Sequence, residues 1–260
     1  MTESFAAKLP INAAAMHPIR FLLFLALVIA ATGTAWGANP IPRPAGIESQ
    51  VRFWTRIYSE VDQSGGLIHD SVHLDVVYEA IRIPDGLSNR SRERHVERAK
   101  RRYVKILRLL ARGKRTGLKP KQARVLALWP KGVSNATLRS AASHVRFQLG
   151  QADRFREGLK RAGRWQEHID AMLQKHGVPL ELAALPHVES SFNAAAYSRV
   201  GAAGLWQFTR STGRLFMQVD SVVDERMDPF VASESAARLL RANYDSLGSW
   251  PLAITAYNHG

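Results

Sequence analysis

One stretch near the end of the sequence, DPFVASESAARLLRANYDSLG (228–248), carries helix signals at both of its ends. Asp228 suits an N-cap and Pro229 suits the first turn, where its missing N–H costs nothing. Ala232, Ala236, Leu239, Leu240, Asn243 and Leu247 recur at helical spacing along one stripe, and Gly248 is the expected stop. A helix of that length with a narrow stripe of small and apolar residues must pack against other helices. Pro251 then opens another apolar segment, PLAITAYNHG.

The same period runs back through most of the chain. From Ser91 to about Arg112, Val96, Ala99, Tyr103, Ile106, Leu107 and Leu110 fall on one face, and Gly113 follows. Further helices fit Asn135–Leu149, with Leu138, Ala142, Val145 and Leu149 inward, and Asp153–Ala162, with Phe155, Leu159 and Ala162 inward. Another fits Trp165–Lys175, ended by His176-Gly177, and Pro179 opens the next. Val51–Glu60 fits a short amphipathic helix, and Ser64-Gly65-Gly66 reads as a break. Residues 72–83 alternate as a strand would, although Val77 and Ala80 suit a helix equally.

Before these segments, Phe21–Thr32 is an unbroken apolar run preceded by Arg20 and followed by the small residues Ala35 and Gly37. This has the length of a signal-peptide core, with cleavage expected before Ala38 and Met16 as an alternative start; an uncleaved anchor ranks second. The chain has no cysteine, which excludes disulfides, thiolate metal sites, a cysteine nucleophile and a lipid-modified N-terminus. The expected organisation is a signal peptide (1–37), a Pro-rich linker (38–50), an N-terminal extension (51–90), a basic helical segment (91–150) and a helical domain (151–260). Gly260 follows directly on an apolar helix, so the domain is expected to be incomplete at its C-terminus.

The net charge of +14 is unevenly placed. Residues 90–165 hold 23 Lys/Arg against four Asp/Glu, whereas both flanks are slightly acidic. Such a segment could bind nucleic acid, but zinc ligands, a recognition-helix pattern and interleaved aromatics are missing, and an export signal argues against it. An anionic membrane or cell-wall surface is the better candidate partner, beside the plain reading of a solvated helix face.

The chemistry concentrates around ELAALPHVESSFN (181–193), an apolar helix that runs into a lone carboxylate, Glu189. Among Leu185, Val188 and Phe192 such a group would be partly desolvated, which raises its pKa and makes it a proton donor near neutral pH. A general acid of that kind contributes roughly 10²–10⁴-fold to a rate. Taken by position alone, a helix-end Glu paired with Arg199 or facing water is the commoner case. Pro186 should bend the helix before Glu189, and Ser190 and Ser191 offer hydroxyls beside it. GAAGLWQF (201–208) follows, with two glycines, Trp206 and the amide of Gln207; Trp206 alone reads as core. His187 finds no second ligand at metal spacing, so no metal or cofactor is expected.

Glu189-Ser190, then Gly204-Leu205-Trp206-Gln207, then Ala256-Tyr257-Asn258 resemble, in order and spacing, the three signature motifs of the lytic transglycosylases with a goose-type-lysozyme-like fold. The match covers about residues 143–260. Ala194 stands where that family usually has proline, and Thr209-Arg210 where it usually has Met-Pro. The resemblance implies a mainly α, lysozyme-like lobe acting on peptidoglycan glycan strands. It implies that Glu189 protonates the oxygen between N-acetylmuramic acid and N-acetylglucosamine, then takes the proton of the muramoyl C6 hydroxyl, giving a 1,6-anhydro product. Ser190 and Tyr257 would orient Glu189 or the substrate's acetamido group, and Gln207 and Asn258 would bind sugar. Two other functions stay open: a muramidase of the same fold, needing a second carboxylate among Asp220, Asp224, Glu225 and Asp228, and a binding module without catalysis.

Overall fold

A computed structural model describes residues 40–259. The expected signal peptide lies outside the described residues, and so does most of the expected start of the linker. The chain is mainly α with one small sheet, and it forms two compact units: 61–150, and 40–60 together with 151–259.

The second unit begins with α1 (Glu48–Ser59), which buries Val51, Phe53, Trp54 and Ile57. Residues 40–47 were expected as part of a linker. Ile41 is instead buried in this unit's core, and Ala45–Ile47 form a 3₁₀ turn leading into α1.

The unit 61–150 is built on β1 (Gly65–Asp70), flanked by β2 (Val77–Arg82) and, later in the chain, by β3 (Val145–Leu149). Both pairings are antiparallel, in the order β2-β1-β3. This corrects the sequence reading in three places. Gly65-Gly66 begins the central strand instead of breaking the chain, because a Cβ at Gly66 would collide with the Phe147 ring and the Gln148 carbonyl. The alternating residues Val72–Val76 form a turn: the buried Asp70 carboxylate accepts from the N–H of Val72 (2.8 Å) and His73 (2.9 Å), and Val72 is exposed. The strand starts only at Val77. The helix expected over 135–149 stops at His144, and Val145–Leu149 pair with Asp70–Gly66. Pairing with a buried central strand outweighs a stripe that Val145 and Leu149 can complete in either conformation.

Helices α2 (Asn89–Leu110), α3 (Pro120–Ala127) and α4 (Asn135–His144) complete this unit, and its core gathers Ile68, Tyr78, Tyr103, Leu107, Val125 and Leu138. Helix α3 escaped the sequence reading, although Pro120 at its first position and the Gln122 amide on Lys119 N–H (3.0 Å) mark its start.

The second unit continues with α5 (Ala152–Ala162), α6 (Gln166–Lys175), a 3₁₀ turn (Leu180–Ala184) and α7 (Leu185–Glu189). It then runs through α8 (Arg210–Gly213), α9 (Pro229–Leu247) and α10 (Trp250–His259). The end signals of α9 hold: Asp228 accepts from Phe230 N–H at 2.8 Å, and Gly248 is left-handed. Leu159, expected inward on α5, is 52% exposed. Gly158 turns inward in its place, where a Cβ would sit 3.1 Å from the Ser191 carbonyl oxygen and 3.2 Å from His187 Nδ1. The core of this unit collects Ile169, Leu173, Leu182, Leu185, Phe192, Leu205, Trp206, Ala236, Leu240 and Ile254.

Candidate active site

Glu189 is the last residue of α7. The segment before it changes helix type at Ala184/Leu185, as Pro186 requires, since proline has no N–H to continue the preceding turn. Residues Leu182–His187 are all buried, so the carboxylate is delivered from inside the core to a half-buried position. Among the described residues nothing donates to it or pairs with it; Arg199 is exposed and makes no such bond. Burial therefore acts unopposed and pushes the Glu189 carboxyl up to about 7.

The two following turns are held open by unusual backbone. Ser191 (φ 54°), Phe192 (φ 55°) and Gln207 (φ 51°) are the only non-glycine residues with positive φ among the described residues, and all three sit beside Glu189 or in the Gly204–Gln207 motif. Each such conformation costs about 1–3 kcal/mol and persists only where surrounding contacts impose it. Arg161 of α5 imposes the first, donating through Nε (3.0 Å) and Nη2 (2.7 Å) to the Ser191 carbonyl. Phe192 is driven into the core. The Gln207 amide nitrogen donates to the Gly204 carbonyl at 2.8 Å.

Three of the residues singled out in the sequence converge here. Ser190 Oγ donates to the Leu205 carbonyl at 2.8 Å, and the Tyr257 hydroxyl donates to the Trp206 carbonyl at 2.7 Å. The helix end at Glu189, the 204–207 turn and α10 are thereby tied together. Burial, and next the nearby Glu189 carboxylate, hold the Tyr257 phenol well above its ordinary value, which places the two groups within electrostatic reach. The Tyr257 proton is committed to the Trp206 carbonyl, so the phenol does not donate to Glu189. Asn258 is exposed, with its amide nitrogen on the Ile254 carbonyl. Trp206 is fully buried and donates from Nε1 to Ser233 Oγ at 2.9 Å, so it is a core residue.

Sequence reasoning missed the group that braces the loop. Arg226 is fully buried, paired through two bonds with Asp224 (2.7 and 2.8 Å), and it donates to the carbonyls of Gly201 (2.7 Å) and Phe208 (2.9 Å). Its own carbonyl lies so close to Gly204 that any Cβ there would overlap it. The charge pattern gave no sign of this, because a lone arginine in a polar connection reads as surface. His187 is buried between Phe155 (4.9 Å) and Phe192 (4.4 Å), and its pKa falls to about 4 through burial, with Arg161 adding to the effect. It is a neutral packing ring.

The other acids of the lobe have structural work. Asp220 accepts from the N–H of Val222 and Val223 (2.7 Å each) and from Gln218, whose amide is the main reason its pKa falls to about 2. Asp224 pairs with Arg226, Glu225 accepts from Gln218 N–H at 2.6 Å, and Asp228 caps α9. No group of three or more His, Asp or Glu residues is placed to hold a metal ion among the described residues.

Residues 167–260 match the family model described as "Transglycosylase SLT domain". This stretch is similar to SLT domains. A protein of Alteromonas sp. (strain M-1) named for tributyltin chloride resistance is 36% identical over 104 residues, 38% of this chain and 49% of the relative. Membrane-bound lytic murein transglycosylase D of Escherichia coli (strain K12) is 36% identical over 102 residues, 38% of this chain and 23% of the relative. The chain thus spans less than half the length of either relative. The SLT assignment agrees with the expected lysozyme-like, mainly α lobe and with the motif resemblance that pointed to it.

Proposed function

We propose that the SLT lobe is the catalytic part of a peptidoglycan lytic transglycosylase, with Glu189 as its single acid and base. The observation that carries this reading is the unpaired, half-buried Glu189, whose carboxyl burial pushes up to about 7, so that a large share of the molecules carries the proton near neutral pH. In the first step that proton passes to the glycosidic oxygen between N-acetylmuramic acid and N-acetylglucosamine, and the bond from C1 to that oxygen breaks. The substrate's own acetamido oxygen stabilises the positive charge at C1, which removes the need for a second carboxylate. In the second step the muramoyl C6 hydroxyl attacks C1 and its proton returns to the Glu189 carboxylate, so no water is consumed. The engagement of Asp220, Asp224, Glu225 and Asp228 in caps, turns and an ion pair supports this one-acid scheme over hydrolysis.

In this scheme Tyr257 orients the Glu189 carboxyl, and Ser190 holds the turn that follows it against Leu205. Gln207 and Asn258 contact sugar through amide oxygens that make no hydrogen bond among the described residues. The name of the Escherichia coli relative and the apolar run at 21–32 support a place in the cell envelope, reached by export. The excess of cations in 90–165 supports contact with an anionic surface there.

The test is digestion of purified murein, with products read by mass spectrometry beside a Glu189→Gln control. Anhydromuropeptides, lighter than their hydrated forms by one water and missing from the control, are the expected result. Hydrated products would overturn the one-acid scheme in favour of a muramidase. Murein binding without any product would make the lobe a binding module.

A further inference from the structure

The exposed residues of α2 are almost all cations. Apart from Asn89 and Glu93, each exposed position on this helix is Arg or Lys. Six of them, Arg90, Arg94, Arg98, Arg101, Lys105 and Arg108, recur at spacings of four, four, three, four and three. At about 100° per residue these six fall within an arc of about 80°, and at about 1.5 Å per residue they extend over about 27 Å. They form one straight ridge.

None of the six makes an ion pair among the described residues, whereas the cations beside the ridge are employed inside the unit. Arg102 and Lys121 pair with Glu79 (3.5 and 3.3 Å), Lys100 pairs with Glu97 (2.6 Å), and Arg124 donates to the Tyr78 carbonyl. Among the described residues only Arg94 of the ridge has a side-chain hydrogen-bond partner, the neutral Ser91 hydroxyl. Like charges three and four residues apart repel, so the ridge costs stability. The opposite face of α2 is committed to the core through Ala99, Tyr103, Ile106, Leu107 and Leu110.

We propose that this ridge docks the protein on an anionic lipid bilayer, by charge alone. The form of the surface decides among anionic partners. Long side chains within an 80° arc of a straight helix can all reach one plane, and a bilayer presents anions at every register along it. Arginine predominates, and its planar fork pairs with phosphate oxygens in a way that a lysine point charge does not. Single-stranded nucleic acids and flexible polyanions are held in grooves with interleaved aromatics, whereas the ridge is convex and α2 exposes no aromatic. No apolar residue of α2 is exposed, so the helix lies against the headgroups without inserting. Clusters of four to eight cations on an amphipathic helix are the general pattern for such contacts, and their grip fades with salt. The proposal is independent of the chemistry at Glu189.

The experiment is cosedimentation of the full chain with phosphatidylcholine vesicles containing about one third phosphatidylglycerol, beside pure phosphatidylcholine. Binding to the anionic vesicles only, falling at least tenfold between low and physiological salt, is expected. The triple variant Arg94→Glu, Arg98→Glu, Lys105→Glu should lose at least tenfold in affinity. A variant of equal net charge, Lys119→Glu, Lys131→Glu, Arg139→Glu, alters exposed cations off α2 and should lose about threefold or less. Circular dichroism would confirm that both variants remain folded. Equal losses in the two variants would reduce the effect to net charge and overturn the proposal. So would binding to isolated murein or to nucleic acid that is lost in the α2 triple variant and occurs at concentrations that leave the vesicles bare.

Discussion

Glu189→Gln should stabilise the protein at alkaline pH while abolishing its activity. The ordinary carboxyl value of 4.5 rises to about 7 in the folded chain because burial disfavours the charge. Between those values the folded state keeps a proton that the unfolded chain has released. Stability is therefore fully present below about pH 4.5, falls as pH rises, and levels off above about pH 7. At about 1.4 kcal/mol per pH unit the ionised carboxylate costs about 3 kcal/mol, and solvent reaching the half-buried group reduces this to about 1–3 kcal/mol. Glutamine has the same shape and no charge, so it escapes the cost. Urea unfolding of both proteins at pH 5, 6, 7 and 8 measures the difference, in which the other titrating groups cancel. The variant should match the parent near pH 5 and exceed it by about 1–3 kcal/mol at pH 8. A difference that does not change with pH, or a variant less stable than its parent at pH 8, would refute the desolvation argument.

The same titration sets the rate. With a proton required on Glu189 at the first step, kcat/KM for glycan cleavage should fall above about pH 7, approaching tenfold per pH unit, as a pH profile on soluble muropeptide chains would record. Arg226→Met should cost about 3–5 kcal/mol, because it strands Asp224 and the carbonyls of Gly201 and Phe208; thermal unfolding would read this, and a loss below 1 kcal/mol would contradict the bracing role. Gly204→Ala combines a positive φ of 78° with overlap on the Arg226 carbonyl, so a loss on the order of 2–4 kcal/mol is expected by the same measurement.

How legible the fold was in the sequence depended on the range of the forces involved. Local signals read well: Asp228 and Gly248 bound α9 where capping chemistry places them, and Gly177 ends the turn after α6. The sheet was hidden because its centre is a strand that begins Gly-Gly and its third member follows a helix without a break. Nothing between residues 65 and 70 announces that Val145–Leu149, some eighty positions on, will pair with it. The helix–strand ambiguity at 145–149 is resolved by a partner that periodicity does not contain.

The candidate site divides along the same line. Glu189, Gln207 and Tyr257 could be picked out because their residue types and order carry chemistry. What holds them together could not, since it rests on three left-handed residues, one arginine on a carbonyl and one arginine inside the core. Those features explain one another. The chain leaving the apolar helix turns back within two residues of Glu189, through positive φ at Ser191 and Phe192. The conformation then needs a donor for the Ser191 carbonyl, which Arg161 supplies, and close approach of α5, which Gly158 permits. The facing turn repeats the logic, with Gln207 strained, Gly204 pressed on Arg226 and Arg226 neutralised by Asp224. These turns hold the helix end that carries the unpaired Glu189 carboxylate against the core. Burial of Glu189 beside these turns is what keeps its proton affinity high.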